Sequence, residues 1–148
     1  MSFKLIQIKG SSIPSPTIIR VYGSGTIRPN TVVEFSSSGN RVVPASSGST
    51  YTNVFGVALD YIEGASDAQV RVIPFMPGQL WLADVANTPA TSQLFVRHAL
   101  TDFTRINNTS TDITTGVFLT HAMSTIQFFS GVGSAMVGEF IRSPITQR

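Results

Sequence analysis

"VFGVALDYIEGASDAQVRVIPF", residues 54–75, reads as strand, turn, strand. Large residues alternate with small ones along its first half. Phe55, Val57, Leu59 and Tyr61 fall on one side of a pleated strand, and Val54, Gly56 and Ala58 on the other. The large side is expected to fill a core, and the small side to let a second backbone come close. The turn is expected at residues 63–67, where Glu, Gly, Ala, Ser and Asp follow one another. The chain then returns through 69–75, with Val70 and Val72 alternating with Gln69 and Arg71. Such a hairpin is a structural staple of a small barrel.

Working outward, β signals recur along the chain. Runs rich in Val, Ile, Phe, Thr and Tyr stand at 3–8, 17–22, 31–35, 41–43, 54–61, 69–75, 79–85, 94–98, 116–120, 125–129 and 135–141. Turn chemistry separates them at Pro14-Ser15-Pro16, Gly23-Ser24-Gly25, 36–40, 46–49, Pro77-Gly78 and 107–112. The nearest approach to a helical apolar stripe is residues 89–100, and it is weak. Short strands at this spacing predict an all-β fold, a small barrel or sandwich with additional C-terminal strands.

Two regions differ from the middle. Residues 1–16 begin with apolar alternation at Phe3, Leu5, Ile6 and Ile8, and then meet Pro14 and Pro16, which favour a stiff extended path. They read as an N-terminal arm. If the prolines steer it off the body, strand addition to a partner would satisfy its backbone and its apolar side chains together. The other arrangement is a first strand folded back on its own barrel. Residues 17–148 read as one β-domain, with a core at 17–85 and a strand-rich extension at 86–148.

The composition narrows the function. Of the 148 residues 42% are hydrophobic and only 12% charged, about half the charged share usual for soluble domains. Neutral polar residues supply solubility instead, which suits a surface pressed against other protein. Ten Lys and Arg against eight acids leave a net charge of +2. No basic run could track a phosphate backbone, so nucleic acid is not an expected partner. Nor is a membrane, because no apolar run reaches spanning length. The absence of cysteine removes disulfides and thiolate zinc sites. The opening residues have no apolar core of signal-peptide length, so synthesis in a cytoplasm is expected.

Reactive constellations are sparse. His98 and His121 are the only histidines. Ser92, His98 and Asp102 could be joined into a triad on paper, but nearness in sequence is no evidence of meeting in space. Asp60, Glu63 and Asp67 gather around the expected turn without the spacing of a calcium loop. Gly131-Val132-Gly133 lacks the dinucleotide-binding pattern. Trp81, Phe128 and Phe129 could form a sugar-stacking platform, and more commonly such residues fill a core or an oligomer interface. No catalytic residue, cofactor or metal is expected.

The stretch "GSGTIRPNTVVEFSSSGNRVVPASSGSTYTNVFGVALDYIEGASDAQVRVIPF", residues 23–75, resembles the small capsid decoration, or cement, proteins of tailed bacteriophages. The likeness lies in a strand at 31–35, "RVVPA" at 41–45, the Gly-Val-Ala-Leu segment 56–59, a Gly-Ala turn and the Val-x-Val strand 70–72. "GQLWLADV" at 78–85, "TGVFLT" at 115–120 and "VGEFI" at 137–141 extend it more loosely. The resemblance covers residues 20–85 well. It implies a non-enzymatic homotrimer on the capsid exterior of a virion, bridging major capsid subunits against internal pressure. Phe3, Leu5, Ile6, Ile8, Trp81, Phe128 and Phe129 are the interaction residues expected on this reading. The alternatives are a receptor- or carbohydrate-binding module of a fibre or baseplate, with Trp81 in an exposed groove, and a small hydrolase using a pocketed histidine.

Overall fold

The structure is a computed structural model that describes residues 2–10, 15–123 and 135–142. Among these the chain is all-β, and its one helical feature is a single 3-10 turn at Thr91–Gln93. The strands are β1 (Phe3–Ile8), β2 (Ile19–Ile27), β3 (Val32–Phe35), β4 (Val42–Pro44), β5 (Val54–Ala58), β6 (Ile62–Pro74), β7 (Gln79–Asp84), β8 (Arg97–His98), β9 (Leu100–Asp102), β10 (Arg105–Ile106), β11 (Phe118–Met123) and β12 (Ala135–Phe140). Strands β2-β4-β3-β5-β6 close into a five-stranded barrel. A second sheet runs β1-β7-β12-β11-β8, and β9 and β10 form a small ribbon. β7, which the sequence groups with the barrel core, belongs to the second sheet.

The hairpin β5–β6 lies at the junction of the two layers, and a bulge decides how. Val33 pairs with Gly56 while Glu34 pairs with Val54, so Phe55 is the extra residue opposite β3. The bulge breaks the simple alternation. Phe55 and Ala58 point into the barrel with Val33, Val42, Val70 and Val72. Val54 and Val57 point out of it, toward Trp81, Phe118 and Phe140. The expectation that Phe55 and Val57 share a face is therefore corrected, and all five residues of β5 are buried. Leu59 is only half-buried against the outer cluster, and Tyr61 is exposed.

Gly56 meets the expectation of close approach. A Cβ built there would stand 2.2 Å from the Ile73 carbonyl oxygen and 2.7 Å from a Val72 methyl. The turn, however, comes earlier than expected, at residues 59–61. Residues 63–67 run inside β6 instead, and Gly23-Ser24-Gly25 inside β2, where Gly25 pairs with Ala65 and Ile27 with Ile62. The two register shifts between these strands, with Gly25 at φ +81° and Gly64 at φ +57°, let turn-forming residues lie in a strongly coiled ribbon. Turn propensity is here overridden by closure of the barrel.

The outer faces of the barrel strands and the inner face of the second sheet share one core. Phe140 is its centre. Its ring stacks on Phe75 at 3.9 Å between centroids and meets Phe3, Phe118 and Trp81 edge-on at 5.4, 5.0 and 5.8 Å. β1 is part of this core. It runs antiparallel to β7, with Phe3 opposite Ala83 and Leu5 opposite Trp81. Phe3 also donates its N–H to the Asn30 carbonyl, at 3.2 Å, and so ties the strand to the barrel side. Residues 3–8 thus form the edge strand of the chain's own second sheet. This corrects the arm leaving for a partner, and equally the first strand of the barrel. The physical reason is that Phe3 and Leu5 bury in the shared core before the chain reaches its prolines. The helical stripe weighed at 89–100 reduces to the 3-10 turn, and β9 and β10 were not anticipated. The strand read at 125–129 lies outside the described residues.

Gly56→Ala should destabilise the chain by about 1–3 kcal/mol, the usual cost of overpacking a filled site. The measurement is a shift in the urea midpoint at unchanged slope. An unshifted midpoint would mean that β5 and β6 part at no cost.

Candidate functional site

Three of the residues expected to meet a partner are interior. Phe3 and Trp81 are each 1% exposed and Leu5 is buried, all in the Phe140 core. Trp81 donates its indole N–H to Gln79 Oε1 at 3.2 Å. Ile8 is half-buried against the same core, and Ile6 is half-buried on β1. Phe128 and Phe129 lie outside the described residues. The structure therefore gathers Phe3, Leu5 and Trp81, but as packing and not as a contact surface.

The chemistry-bearing residues are similarly dispersed. Asp60 takes the Arg71 backbone N–H and guanidinium, each at 2.8 Å, and those bonds hold its carboxyl below the usual range. Asp67 pairs with Arg41 at 3.1 Å. Asp102 accepts the N–H and hydroxyl of Thr104, and no bond joins it to His98. His121 faces Glu139 at 3.6 Å on the surface. Among the described residues no three such side chains could hold a metal ion together, and no helix is long and apolar enough to cross a membrane.

The two most exposed of the large apolar side chains among the described residues stand on the two segments linked to β8. Phe95 is 73% exposed and Ile113 is 72% exposed. Neither sits on a loose loop. Phe95 is held at φ +59°, a region costly for a non-glycine residue, by its N–H bond to the Thr120 carbonyl at 2.7 Å. Its ring lies edge-on to His121. Ile113 is carried by the turn 112–116. There the Asp112 carboxylate accepts the N–H groups of Thr114 and Thr115, at 3.2 and 2.8 Å, and both their hydroxyls. The Asp112 N–H donates to the Arg97 carbonyl at 2.9 Å. The Arg97 guanidinium donates to the carbonyls of Ile113 and Gly116, each at 2.9 Å, and lies over the Tyr51 ring. Arg97 is thus two residues from Phe95 along the chain and one hydrogen bond from Ile113.

Beneath this edge lies a buried polar network. Asn108, fully buried, accepts the Asn87 N–H and donates to the Asn87 carbonyl and to Gln93 Oε1. Gln93 Oε1 also accepts the Ala90 N–H, and the Gln93 carbonyl accepts the Thr120 hydroxyl. Side chains therefore fix Asn87, Ala90 and Gln93, and the backbone bond to Thr120 fixes Phe95. The one local signal for this site was Asp112 followed by Thr114 and Thr115, a spacing that lets a carboxylate cap the next turn. Phe95 carried no signal of its own, since it stands between Leu94 and Val96 in a run that reads as a strand. Comparison with protein-family models, curated proteins and solved structures finds no match for this chain.

The bonds from Thr115 and Thr114 hold the Asp112 carboxyl at about 2, against an ordinary 3.8. A depressed carboxyl stabilises the fold while ionised. Its contribution is complete above the ordinary value and is lost as pH falls through about 2. Asp112 is solvent-facing, so the effect is small after screening. Asp112→Asn, which keeps the acceptor and removes the titration, should flatten the acid side of the stability profile in that window. A variant profile as steep as the parent's would remove Asp112 from the acid response.

Proposed function

We propose that this chain is a non-enzymatic structural protein that seats on the outer surface of an icosahedral phage capsid and stabilises it by bridging major capsid subunits. The observation that carries the reading is the rigid display of Phe95 and Ile113. Fully burying one such side chain against a partner is worth about 1.5–3 kcal/mol. That is modest for one copy and sufficient for a protein attached in many copies to one shell. The sparse charge supports the same reading, because few ions need be stripped of water when the surface is covered. The capsid as partner, the homotrimer, synthesis in the host cytoplasm and a final place on the virion exterior rest on the resemblance carried by residues 20–85.

The competing readings have less to stand on. A sugar-binding module needed Trp81 in an open groove, and its indole is interior. A hydrolase needed a pocketed histidine with a carboxylate and a hydroxyl. His98 turns its ring nitrogens to backbone carbonyls, and His121 meets Glu139 and the edge of Phe95, with no hydroxyl bonded to it among the described residues.

The test is binding to cognate shells stripped of this chain, scored by occupancy in electron micrographs. Phe95→Ser with Ile113→Ser should leave the folded chain at least as stable and weaken attachment by at least about tenfold, the equivalent of 1.4 kcal/mol. Full occupancy by the double variant would move the contact elsewhere. Failure of the parent chain to decorate the shells at all would overturn the capsid reading.

A further inference from the structure

The barrel carries an open cleft of its own. Tyr22 of β2, Asn40 and Arg41 just before β4, and Asp67 of β6 line a volume of 340 Å³, room for one small ligand. Phe95 and Ile113 stand on segments linked to β8, in the other sheet, so the exposed edge and this cleft share no residue.

The lining is held in place by the barrel. Tyr22 stands mid-strand opposite Gln69, and 53% of its surface is exposed. Its neighbour Gly23 pairs with Ala68 on one side and Val42 on the other, which brings β6 and β4 to either side of the ring. The Arg41 guanidinium donates to the Ser66 carbonyl at 2.9 Å and to Asn40 Oδ1 at 3.2 Å, and meets the Asp67 carboxylate at 3.1 Å. Asn40 Oδ1 also accepts the Ser38 hydroxyl at 2.7 Å. An arginine Nε only donates, so the atom facing it is the amide oxygen, and the Asn40 nitrogen keeps both its N–H groups for a ligand. Among the described residues the second Asp67 oxygen and the Tyr22 hydroxyl accept and donate no hydrogen bond.

The cleft thus presents an aromatic face, two amide donors, a guanidinium and a carboxylate oxygen. Donors and acceptors side by side match hydroxyl groups, each of which both gives and takes a hydrogen bond. A phosphate offers acceptors and would meet Asp67 as a like charge. An apolar segment would bury these groups unpaired. A tyrosine fixed on a strand offers a rigid amphipathic face at little entropic cost, and the C–H face of a sugar ring fits it. The Asp67 side chain is 57% exposed, so the cleft is open, whereas a small free ligand is ordinarily engulfed. An open cleft suits one unit of a longer chain.

We propose that this cleft binds one pyranose unit of a glycan chain, stacked on Tyr22, with neighbouring hydroxyls bonded by the Asn40 amide, Arg41 and the Asp67 carboxylate. Tyr22 supplies the platform that the interior Trp81 does not.

Chemical-shift titration of the labelled intact chain tests this with the methyl glycosides of glucose, galactose, mannose and N-acetylglucosamine, the corresponding free sugars, and inorganic phosphate. At least one glycoside should give saturable shifts at the Asn40 side-chain amide and the Tyr22 ring, with saturation passing from the ring to the sugar C–H protons. Tyr22→Ala and Asn40→Asp should each weaken that binding at least about tenfold. Asn40→Asp keeps the oxygen that Ser38 and Arg41 bond and removes the two N–H groups, so its loss of binding is not a loss of fold. No saturable shift with any glycoside would overturn the proposal, and so would saturable shifts that leave Tyr22 and Asn40 unmoved or binding unchanged in both variants. Response to the free sugars alone would replace the glycan chain with a free sugar, and response to phosphate alone would replace the sugar with an anion; either overturns it. Phe95→Ser with Ile113→Ser should bind the glycoside as the parent does, so this proposal stands or falls apart from the capsid reading.

Discussion

The ring of Phe140 holds the two halves of this protein together. It stacks on Phe75, just past the last barrel strand, and takes the edges of Phe3, Trp81 and Phe118 from three strands of the second sheet. Geometries of this kind add about 0.5–1.5 kcal/mol per pair to what burial alone supplies. The barrel depends on them. Its interior is lined by Val33, Val42, Val70, Val72, Phe55 and Ala58, while Val32, Val54, Val57 and Ile73 face outward and need a cover. The second sheet is that cover, and β1 must join it, because without Phe3 and Leu5 the cover would have a hole at its edge.

The opening hairpin shows how far pattern reading reaches and where it stops. The all-β class was legible from β-branched and aromatic runs between turn residues, and the first strand was placed residue for residue. The small residue at position 56 was read correctly as a point of close approach. The bulge at Phe55 was not legible, since an extra residue leaves no mark in a run of apolar side chains. It moved Phe55 into the barrel and left Val57 outside. The turn was misplaced because Gly64 and Ser66 look like turn residues wherever they stand. Only closure of β6 onto β2, over pairs such as Tyr22 with Gln69, shows that they lie in a strand.

The exposed edge was less legible still, for a different reason. Its supports are distant in sequence: Thr120 reaches Gln93, Asn108 reaches Asn87, and Arg97 reaches Gly116. Each is an ordinary polar residue, Arg97 and Thr120 in runs that read as strands and Asn108 in one that reads as a turn, and nothing in those runs marks the partner. Arg97 and Asp112 look from sequence like solvated charges. In the fold they fasten the turn that carries Ile113. The aromatic residues that seemed best suited to a partner, Phe3 and Trp81, were claimed by the core because they alternate within strands.

Phe95 concentrates two costs in one residue. Its backbone is held in a conformation disfavoured for a side chain of its size, and its ring is given to water. Had the sequence favoured stability alone, glycine or asparagine at this position would have relieved the backbone, and a polar side chain would have removed the exposed ring. The surrounding structure instead holds the position, through the Thr120 bond and the Gln93 network just before it. Rigid support is what lowers the entropy lost when a side chain is buried against a partner. A strained, well-supported and exposed aromatic is costly in the isolated chain and economical in a complex. That asymmetry is the physical argument for reading this edge as a surface made to be covered.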